Sequence, residues 1–483
     1  MRQLRLAFVV DSIGLVEFQS IPILTALARR QGHQVVLVEF GRDQRRAIRI
    51  LTEYRPDIVL YTVTSNQSDL YLDFNRTLKQ HLSFFSVFGG PHPTFSPLYA
   101  RREGVDAVCR GEGDLCFPRF LESFGEEAMH GVDNFIFRLP DGAYRENPLG
   151  PLVEDLDSQP FPEREILYEN SRFLALCPVK SFLAGRGCPY RCTYCLNRNY
   201  NAMYRGRGHV LRHKSVSYLL EEIGRVREKY PLTFVKFQDD VFGTDLPWLR
   251  EFSARYPKEI GLPFICFVRS EMVSEEYADL LREAGCHSVC TAIESGNEDL
   301  RRRLLDRQIT DAEIVASFGR LRRRGIRTYA PNIIGFPGET EEQIFETIRL
   351  NQRAGADHAD ASIFQPYPGT KLGDYCVANG YIEGQEAPVE GQHTKTVLNF
   401  PPEFKRRVHV LHKLFPILVD VPWLTRILPG LFYRTRLFDG LLTLAERFWY
   451  GFFMHRRIYA SSVPFRVRLR ALRWSLSSRN RNS

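Results

Sequence analysis

The stretch that most constrains this chain is Gly185-Arg186-Gly187-Cys188-Pro189-Tyr190-Arg191-Cys192-Thr193-Tyr194-Cys195, where three of the ten cysteines stand in the spacing C-x3-C-x2-C. Thiolates are the soft ligands that iron–sulfur clusters and zinc prefer, and gaps of two or three residues let one loop wrap one metal centre. A closed tetrahedral zinc site wants four ligands, and no C-x2-C or H-x3-H partner pair lies nearby. Three thiolates leave a [4Fe–4S] cluster with one iron open to an outside ligand. Arg186 and Arg191 are expected to lower the thiol pKa values and to offset the cluster's negative charge. Reduced cytosolic thiols, or zinc with a distant fourth ligand, are the alternative.

The rest of the chain alternates. Leu4–Val10, Gln34–Phe40, Asp57–Val63, Phe84–Phe88 and Val105–Val108 read as strands separated by helical patterns, which predicts βαβ units around a parallel sheet. Ligands of such sheets bind outside the carboxyl ends of the strands. That edge gathers Asp11–Gly14, Thr62-Val63-Thr64-Ser65, Gly89-Gly90-Pro91-His92 and Gly111-Glu112-Gly113-Asp114. The glycines allow backbone to approach a large flat ligand, or simply make tight turns. Residues from about Phe117 to Tyr168 read as a connector, with a hairpin turn at Leu139-Pro140-Asp141-Gly142.

From Pro178 six further strands are expected: Lys180–Ala184, Thr233–Gln238, Pro263–Phe267, His287–Ile293, Thr328–Ile334 and Ala359–Phe364. Helical patterns lie between them, and Thr340-Glu341-Glu342-Gln343 has the form of a capping box. Six βα units predict an open partial barrel with its chemistry at the strands' carboxyl ends, where the cysteine loop also falls.

After about Ala387 the alternation stops. From Glu403 onward there are 16 Lys and Arg against 4 Asp and Glu, so the net charge of +8 hides a basic tail behind a mildly acidic body. That distribution does not read as a nucleic-acid binder. Leu414–Phe453 is rich in Leu, Phe, Trp and Tyr. Short amphipathic basic helices could lie on an anionic membrane surface, or form a helical cap that packs on the barrel and exposes its arginines. Arg466–Arg473 adds charge, and Ser475–Ser483 reads as frayed. Without a signal peptide or an apolar run of bilayer length, ten cysteines fit a reduced, cytoplasmic setting.

Gly185–Cys195, with Tyr194 just before the last cysteine, resembles the signature loop of the radical S-adenosylmethionine (radical SAM) enzymes. The resemblance implies that Cys188, Cys192 and Cys195 hold a [4Fe–4S] cluster whose open iron binds SAM. An electron from a flavodoxin- or ferredoxin-type donor then splits SAM to a 5′-deoxyadenosyl radical. The adjacent carboxylates Asp239-Asp240 could bond an amine or hydroxyls or simply cap a loop, and Glu294 could accept two ribose hydroxyls or make a structural salt bridge. The resemblance implies that Tyr194 lies at the cofactor, that Asp239 sits near the SAM amino group and that Glu294 meets the ribose. Gly296 would let the chain approach, and Ile334 would lie in the apolar strand end that suits adenine. Gly338-Glu339-Thr340, just after it, reads as mainly structural. Arg269 is expected at the SAM carboxylate or at an acidic neighbour.

The N-terminal loops resemble the cobalamin-binding domain that precedes the radical SAM domain in one large subfamily. That assigns Ser65, Gly89, Gly90, Gly111 and Glu112 to cobalamin. The D-x-H-x-x-G motif that ligates cobalt is absent, so no cobalt ligand is named, and His92 reads as a structural turn histidine. The expected architecture is α/β: a Rossmann-like cobalamin domain (1–150), a linker (151–177), a (β/α)6 partial TIM barrel (178–386) and a mostly helical basic region (387–483). The implied function is cobalamin-dependent methyl transfer to an unactivated carbon of a bulky, lipid- or tetrapyrrole-like substrate. Cyclisation or ring rearrangement is the alternative. A tRNA methylthiotransferase would need more cysteines than Cys109 and Cys116 ahead of Cys177, and a non-enzymatic metal scaffold is the last rival.

Overall fold

Near-continuous apolar runs make the first sheet's strands, because strands covered by helices on both faces have no polar side to show. In a computed structural model, which describes residues 2–461 other than 16, 384–394 and 435, these runs are β1 (Arg5–Val10), β2 (Gln34–Glu39), β3 (Ile58–Thr62), β4 (Phe85–Gly89) and β5 (Ala107–Cys109). They are parallel and ordered β2-β1-β3-β4-β5. The order reverses between β1 and β3, which is where a doubly wound sheet opens its ligand crevice. The turn at Leu139–Gly142 joins β6 (Phe135–Arg138) to β7 (Tyr144–Glu146), and this hairpin extends the sheet antiparallel from β5. The connector is therefore partly sheet.

The chain divides into two compact units, Met1–Cys177 with Asn199–Arg212, and Pro178–Arg198 with His213–Ser483. The stretch 151–177, expected as a linker, belongs to the first unit. Its Arg164 (2.9 Å) and Tyr168 (2.7 Å) both donate to the buried carboxylate of Glu17. Asn199–Arg212 returns to that unit as well, and the Leu152 N–H donates to the Arg207 carbonyl at 2.8 Å.

In the second unit six parallel strands stand in chain order: β8 (Val179–Phe182), β9 (Phe234–Phe237), β10 (Phe264–Phe267), β11 (Cys286–Cys290), β12 (Arg327–Ile334) and β13 (His358–Ile363). Helices follow them, as the apolar spacing requires. Helix Glu341–Ala354 begins with the reciprocal capping box of Thr340 and Gln343 and ends at Gly355, whose φ of 69° is left-handed. On the helix side of the sheet an aromatic core packs Phe182, Phe237, Phe252 and Phe264 together.

The C-terminal region joins this unit's core. Helix Pro402–Asp420 buries Val408, Leu411, Leu414 and Phe415 among Ile334, Ile344 and Ile348. Farther on, Met454 and Ile458 pack on Phe234, Ile265 and Cys290, side chains on the sheet face opposite the helices. The arginines of Arg466–Arg473 and the end at Ser475–Ser483 lie outside the described residues.

Candidate cofactor sites

In the second unit the cysteine loop leaves the end of β8 and is held at both ends. At its start the buried Asp239 carboxylate accepts from the backbone N–H groups of Ala184 (3.1 Å) and Gly185 (2.6 Å). At its far side Thr193 donates from its hydroxyl to the Leu304 carbonyl (2.5 Å) and accepts at its own carbonyl from Leu372 N–H (2.9 Å). Cys188 and Cys192 are buried and Cys195 is half-buried.

Arg269, from the end of β10, donates to the Cys192 sulfur at 2.9 Å and lies 4.0 Å over the Tyr190 ring. It pairs with Glu271. Arg307, itself buried, reaches Glu271 at 3.8 Å and Glu294 at 3.3 Å. Glu294 accepts from the Tyr194 hydroxyl at 2.7 Å, so the charges run from one cysteine around to the residue before the last. Burial of two guanidinium groups is costly unless carboxylates face them, and here each has one or two.

Burial pushes the Cys188 thiol up, and the Cys195 thiol up to about 12, with Arg269 opposing the rise at Cys188. Metal binding must therefore release protons from these thiols. Arg269 is a cation that reaches a sulfur here; Arg191 is exposed, with its carbonyl accepting from Arg198 at 2.9 Å. Among the described residues no three His, Cys, Asp or Glu side chains surround a single ion position. A cubane asks for no such convergence, because each thiolate takes a different iron, and the loop's three thiols fit it better than they fit one zinc.

The other expected contacts divide. Asp239 is spent on the loop's backbone, and burial raises its carboxyl to about 7. Its neighbour Asp240 stays accessible, bonds Asn197 and lies close enough to Cys188 and Cys195 to raise both thiols, while the surrounding protein raises its own carboxyl. Glu294 holds φ at 68°, a sparsely populated conformation for a residue with a Cβ, and pairs with Asn332 across to β12. Gly296 is needed for packing: a Cβ there would stand 2.3 Å from the Glu346 backbone. Ile334 points into the helix-side core, and its half-buried neighbour Ile333 packs with Tyr194, Phe336 and Phe364 instead. The side-chain period of two puts these neighbours on opposite faces of the sheet. In the following turn Glu339 accepts from Gly335 (2.5 Å) and Phe336 (3.2 Å) N–H groups, and burial pushes its carboxyl up to about 8.

In the first unit Ser65, Gly89 and Gly90 come together at the carboxyl ends of β3 and β4. Ser65 bonds the His92 ring at 3.1 Å, and that ring meets Tyr99 edge-on. Gly90 (φ 97°) could not carry a side chain, since a Cβ would lie 2.8 Å from the Val63 nitrogen. At Gly89 the protein would tolerate a Cβ, its closest atom being 3.7 Å away. Gly111 and Glu112 are occupied by the unit itself. The Tyr204 hydroxyl fills the space a Cβ at Gly111 would need, and Glu112 binds Arg212 (2.6 and 3.0 Å) and the Tyr200 hydroxyl (2.8 Å). Asp240 and Ile333 stand in stretches the sequence already marks, the paired carboxylates after β9 and the apolar end of β12, whereas Glu271, Arg307, Tyr204 and Arg212 are not singled out by the sequence; the Tyr200/Tyr204 spacing of four is the one signal among these.

A six-stranded parallel sheet with a three-thiol loop after its first strand defines a radical SAM domain, and a B12-binding unit accompanies it. Residues 182–350 match the radical SAM superfamily and residues 15–121 match the B12 binding domain. The chain belongs to the radical SAM proteins that carry a B12-binding domain, and it is an enzyme of that class whose cofactors are a [4Fe–4S] cluster, SAM and cobalamin.

It is 29% identical to an uncharacterized methyltransferase of Pyrococcus horikoshii over 69% of this chain and 72% of that one. It is 24% identical to the cytidylyl-2-hydroxyethylphosphonate methyltransferase of Streptomyces wedmorensis over 75% and 74% of the two chains. The hopanoid C-3 methylase of Methylococcus capsulatus is 26% identical over 71% and 65%. Two solved structures share the fold. One is the radical SAM methyltransferase TsrM from Kitasatospora setae with cobalamin and a [4Fe–4S] cluster bound (TM-score 0.66, 17% identity, 78% of each chain). The other is the cobalamin-dependent radical enzyme OxsB with aqua-cobalamin and SAM bound (TM-score 0.69, 15% identity, 97% of this chain and 74% of that one).

Among the described residues no helix is long and apolar enough to cross a membrane.

Proposed function

We propose that this protein is a cytoplasmic cobalamin-dependent radical SAM methyltransferase that methylates an unactivated carbon of a bulky, lipid- or tetrapyrrole-like substrate. In this reading residues 1–150 hold cobalamin, 178–386 hold the cluster and SAM, and a flavodoxin- or ferredoxin-type protein supplies electrons. The observation that carries it is the three-thiol loop clasped at the carboxyl end of β8 in a chain that also bears a B12-binding unit. When bound, the cluster and SAM supply hydrogen-abstracting radical chemistry, and cobalamin supplies a transferable methyl group.

The chain's own residues do the positioning. Cys188, Cys192 and Cys195 hold iron, and Asp239 and Thr193 fix the loop that carries them. Arg269 places positive charge beside the Cys192 sulfur, which offsets the negative charge of a thiolate-ligated cluster. Asp240, which bonds Asn197, is accessible and could also accept from an ammonium group near the thiols. Glu294 is oriented by Tyr194 and Arg307 and keeps its second carboxylate oxygen for a hydroxyl donor. Ile333 and Phe336 offer an apolar surface to a flat ring. The pairing of Ser65, Gly89 and Gly90 serves the corrin ring in the first unit.

The test is anaerobic purification with cobalamin supplied, followed by incubation with reductant, SAM carrying a labelled methyl group, and candidate acceptors of the hopanoid and tetrapyrrole types. The expected result is 5′-deoxyadenosine together with a product heavier by one methyl group less the hydrogen it replaces. A product of unchanged carbon count would assign cyclisation or rearrangement in place of methyl transfer. Absence of 5′-deoxyadenosine from an iron-loaded, reduced enzyme would remove the radical reading.

A further inference from the structure

The C-terminal part of the second unit carries an outward apolar face. Helix Asp439–Phe453 turns Leu442 inward against the core shared with helix Pro402–Asp420. Its opposite side carries Leu441, Leu444, Phe448 and Phe452, three or four residues apart and therefore one stripe. Leu444 is 59% exposed and Phe448 63%. Trp423, Ile427 and Leu431 are exposed as well, and Leu437, just before the helix, is 82% exposed. Single exposed apolar residues are ordinary on a protein surface, whereas a stripe of them marks a docking face.

The charges around this face are sorted by sign. Between Trp423 and Ser461 the only carboxylates are Asp439 and Glu446. Both are turned toward helix Pro402–Asp420, Asp439 accepting from Arg406 (2.7 and 2.8 Å) and Glu446 from Lys413 (2.7 Å). What remains outward is cationic: Arg426, Arg434, Arg436 and Arg456 are exposed, and Arg456 lies 5.8 Å over the Phe452 ring of the stripe. An arginine's stem can lie along apolar surface while its head reaches an anion.

From this sorting we propose that the face rests on an anionic lipid bilayer, with the stripe at the acyl boundary and the arginines among the headgroup phosphates. A second copy of the chain is the poorer occupant. A two-fold contact through the same patch would set the arginines of one copy against those of the other. The helix lies along the surface and does not span it: its 15 residues reach about 22 Å, and its inner side is committed to the protein core. This inference stands whatever the substrate of the reaction proves to be.

The test uses the full-length, cofactor-loaded protein in co-sedimentation with vesicles of phosphatidylcholine alone or mixed with phosphatidylglycerol. The wild type should sediment with the mixed vesicles, less so at high salt and less so with phosphatidylcholine alone. Leu444→Glu/Phe448→Glu should weaken binding at least about tenfold, because two large apolar side chains leave the interface. Arg434→Gln/Arg436→Gln should reduce the preference for phosphatidylglycerol. Unchanged iron and cobalt content in both variants would show that they fold. Failure of the wild type to sediment with mixed vesicles would overturn the proposal, as would binding indifferent to the glutamate pair. Light scattering that shows a dimer split by the glutamate pair, with no vesicle binding, would assign the face to a second copy. Vesicle binding gained only on truncation after residue 461 would assign it to the chain's own C-terminus.

Discussion

The two cofactor regions are built on opposite plans. In the second unit the candidate ligands, three thiols, are concentrated in one loop, and the groups that hold it arrive from distant strand ends: Asp239 from β9, Arg269 from β10, Glu294 from β11. In the first unit the expected contacts are themselves dispersed over separate loops, and they are shaped by backbone packing, as at Gly90 against Val63. One region is defined by what its side chains donate, the other by what its glycines leave out. Substitutions should therefore fail differently in the two.

The largest contrast is expected at the thiols. Alanine at Cys188, Cys192 or Cys195 should each remove nearly all bound iron, measured by metal analysis after anaerobic reconstitution. Alanine at Cys109 or Cys116, whose sulfurs lie 3.7 Å apart in the first unit, should leave iron unchanged. Iron lost equally from both sets would erase the distinction.

Next come the glycines. Gly296→Ala drives a methyl into the Glu346 backbone at 2.3 Å and should cost about 3 kcal/mol or more, visible as a lowered thermal midpoint. Gly89→Ala meets no protein atom closer than 3.7 Å and should leave that midpoint in place while weakening cobalamin retention. Equal thermal losses would show that Gly89, too, serves only packing.

A smaller effect concerns pH. Glu339 has its carboxyl raised from the ordinary 4.5 to about 8 by burial. Between those values the folded chain keeps a proton that the unfolded chain has released. Its contribution to stability should thus be full below about pH 4.5 and fall as pH rises toward 8, by roughly 1 kcal/mol per pH unit. Glu339→Gln keeps an acceptor for Gly335 and Phe336 and should flatten that slope in denaturant titrations; an unaltered slope would place the titration elsewhere.

The smallest effect is expected at Arg269→Gln, which should retain iron but make the cluster harder to reduce. The midpoint should move negative by on the order of 60 mV in a potentiometric titration followed by electron paramagnetic resonance, since a cationic donor to the Cys192 sulfur is lost. A positive shift would contradict the role given to Arg269.

Much of the fold was legible because apolar runs and helical spacing are local signals. The eleven strands expected along the two parallel sheets fall within a few residues of those observed, and the capping box at Thr340 is present. The hairpin β6–β7 was visible only as a turn, because its strands are only four and three residues long. That the Ile334 side chain enters the helix-side core while Ile333 packs with Tyr194 was not legible, because alternation fixes two faces without saying which one meets the helices. Arg269 could be reduced only to two partners, acidic or carboxylate, since a sulfur contact depends on two strand ends meeting. Tyr204 and Arg212 were missed because the chain re-enters the first unit after the cysteine loop, and nothing in composition marks that return. The aromatic and basic tail held two signals, one for packing and one for an exposed amphipathic surface; helix Pro402–Asp420 packs into the core, and the apolar stripe on Asp439–Phe453 is exposed.

The central claim is that Cys188, Cys192 and Cys195 hold a cluster with an iron open to SAM. Its most direct test is electron paramagnetic resonance of the reduced, anaerobically purified protein before and after SAM is added, beside iron and cobalt analysis. The account predicts about four irons per chain and a cluster signal that changes when SAM binds. Zinc in place of iron after reconstitution, or a cluster signal indifferent to SAM, would contradict it.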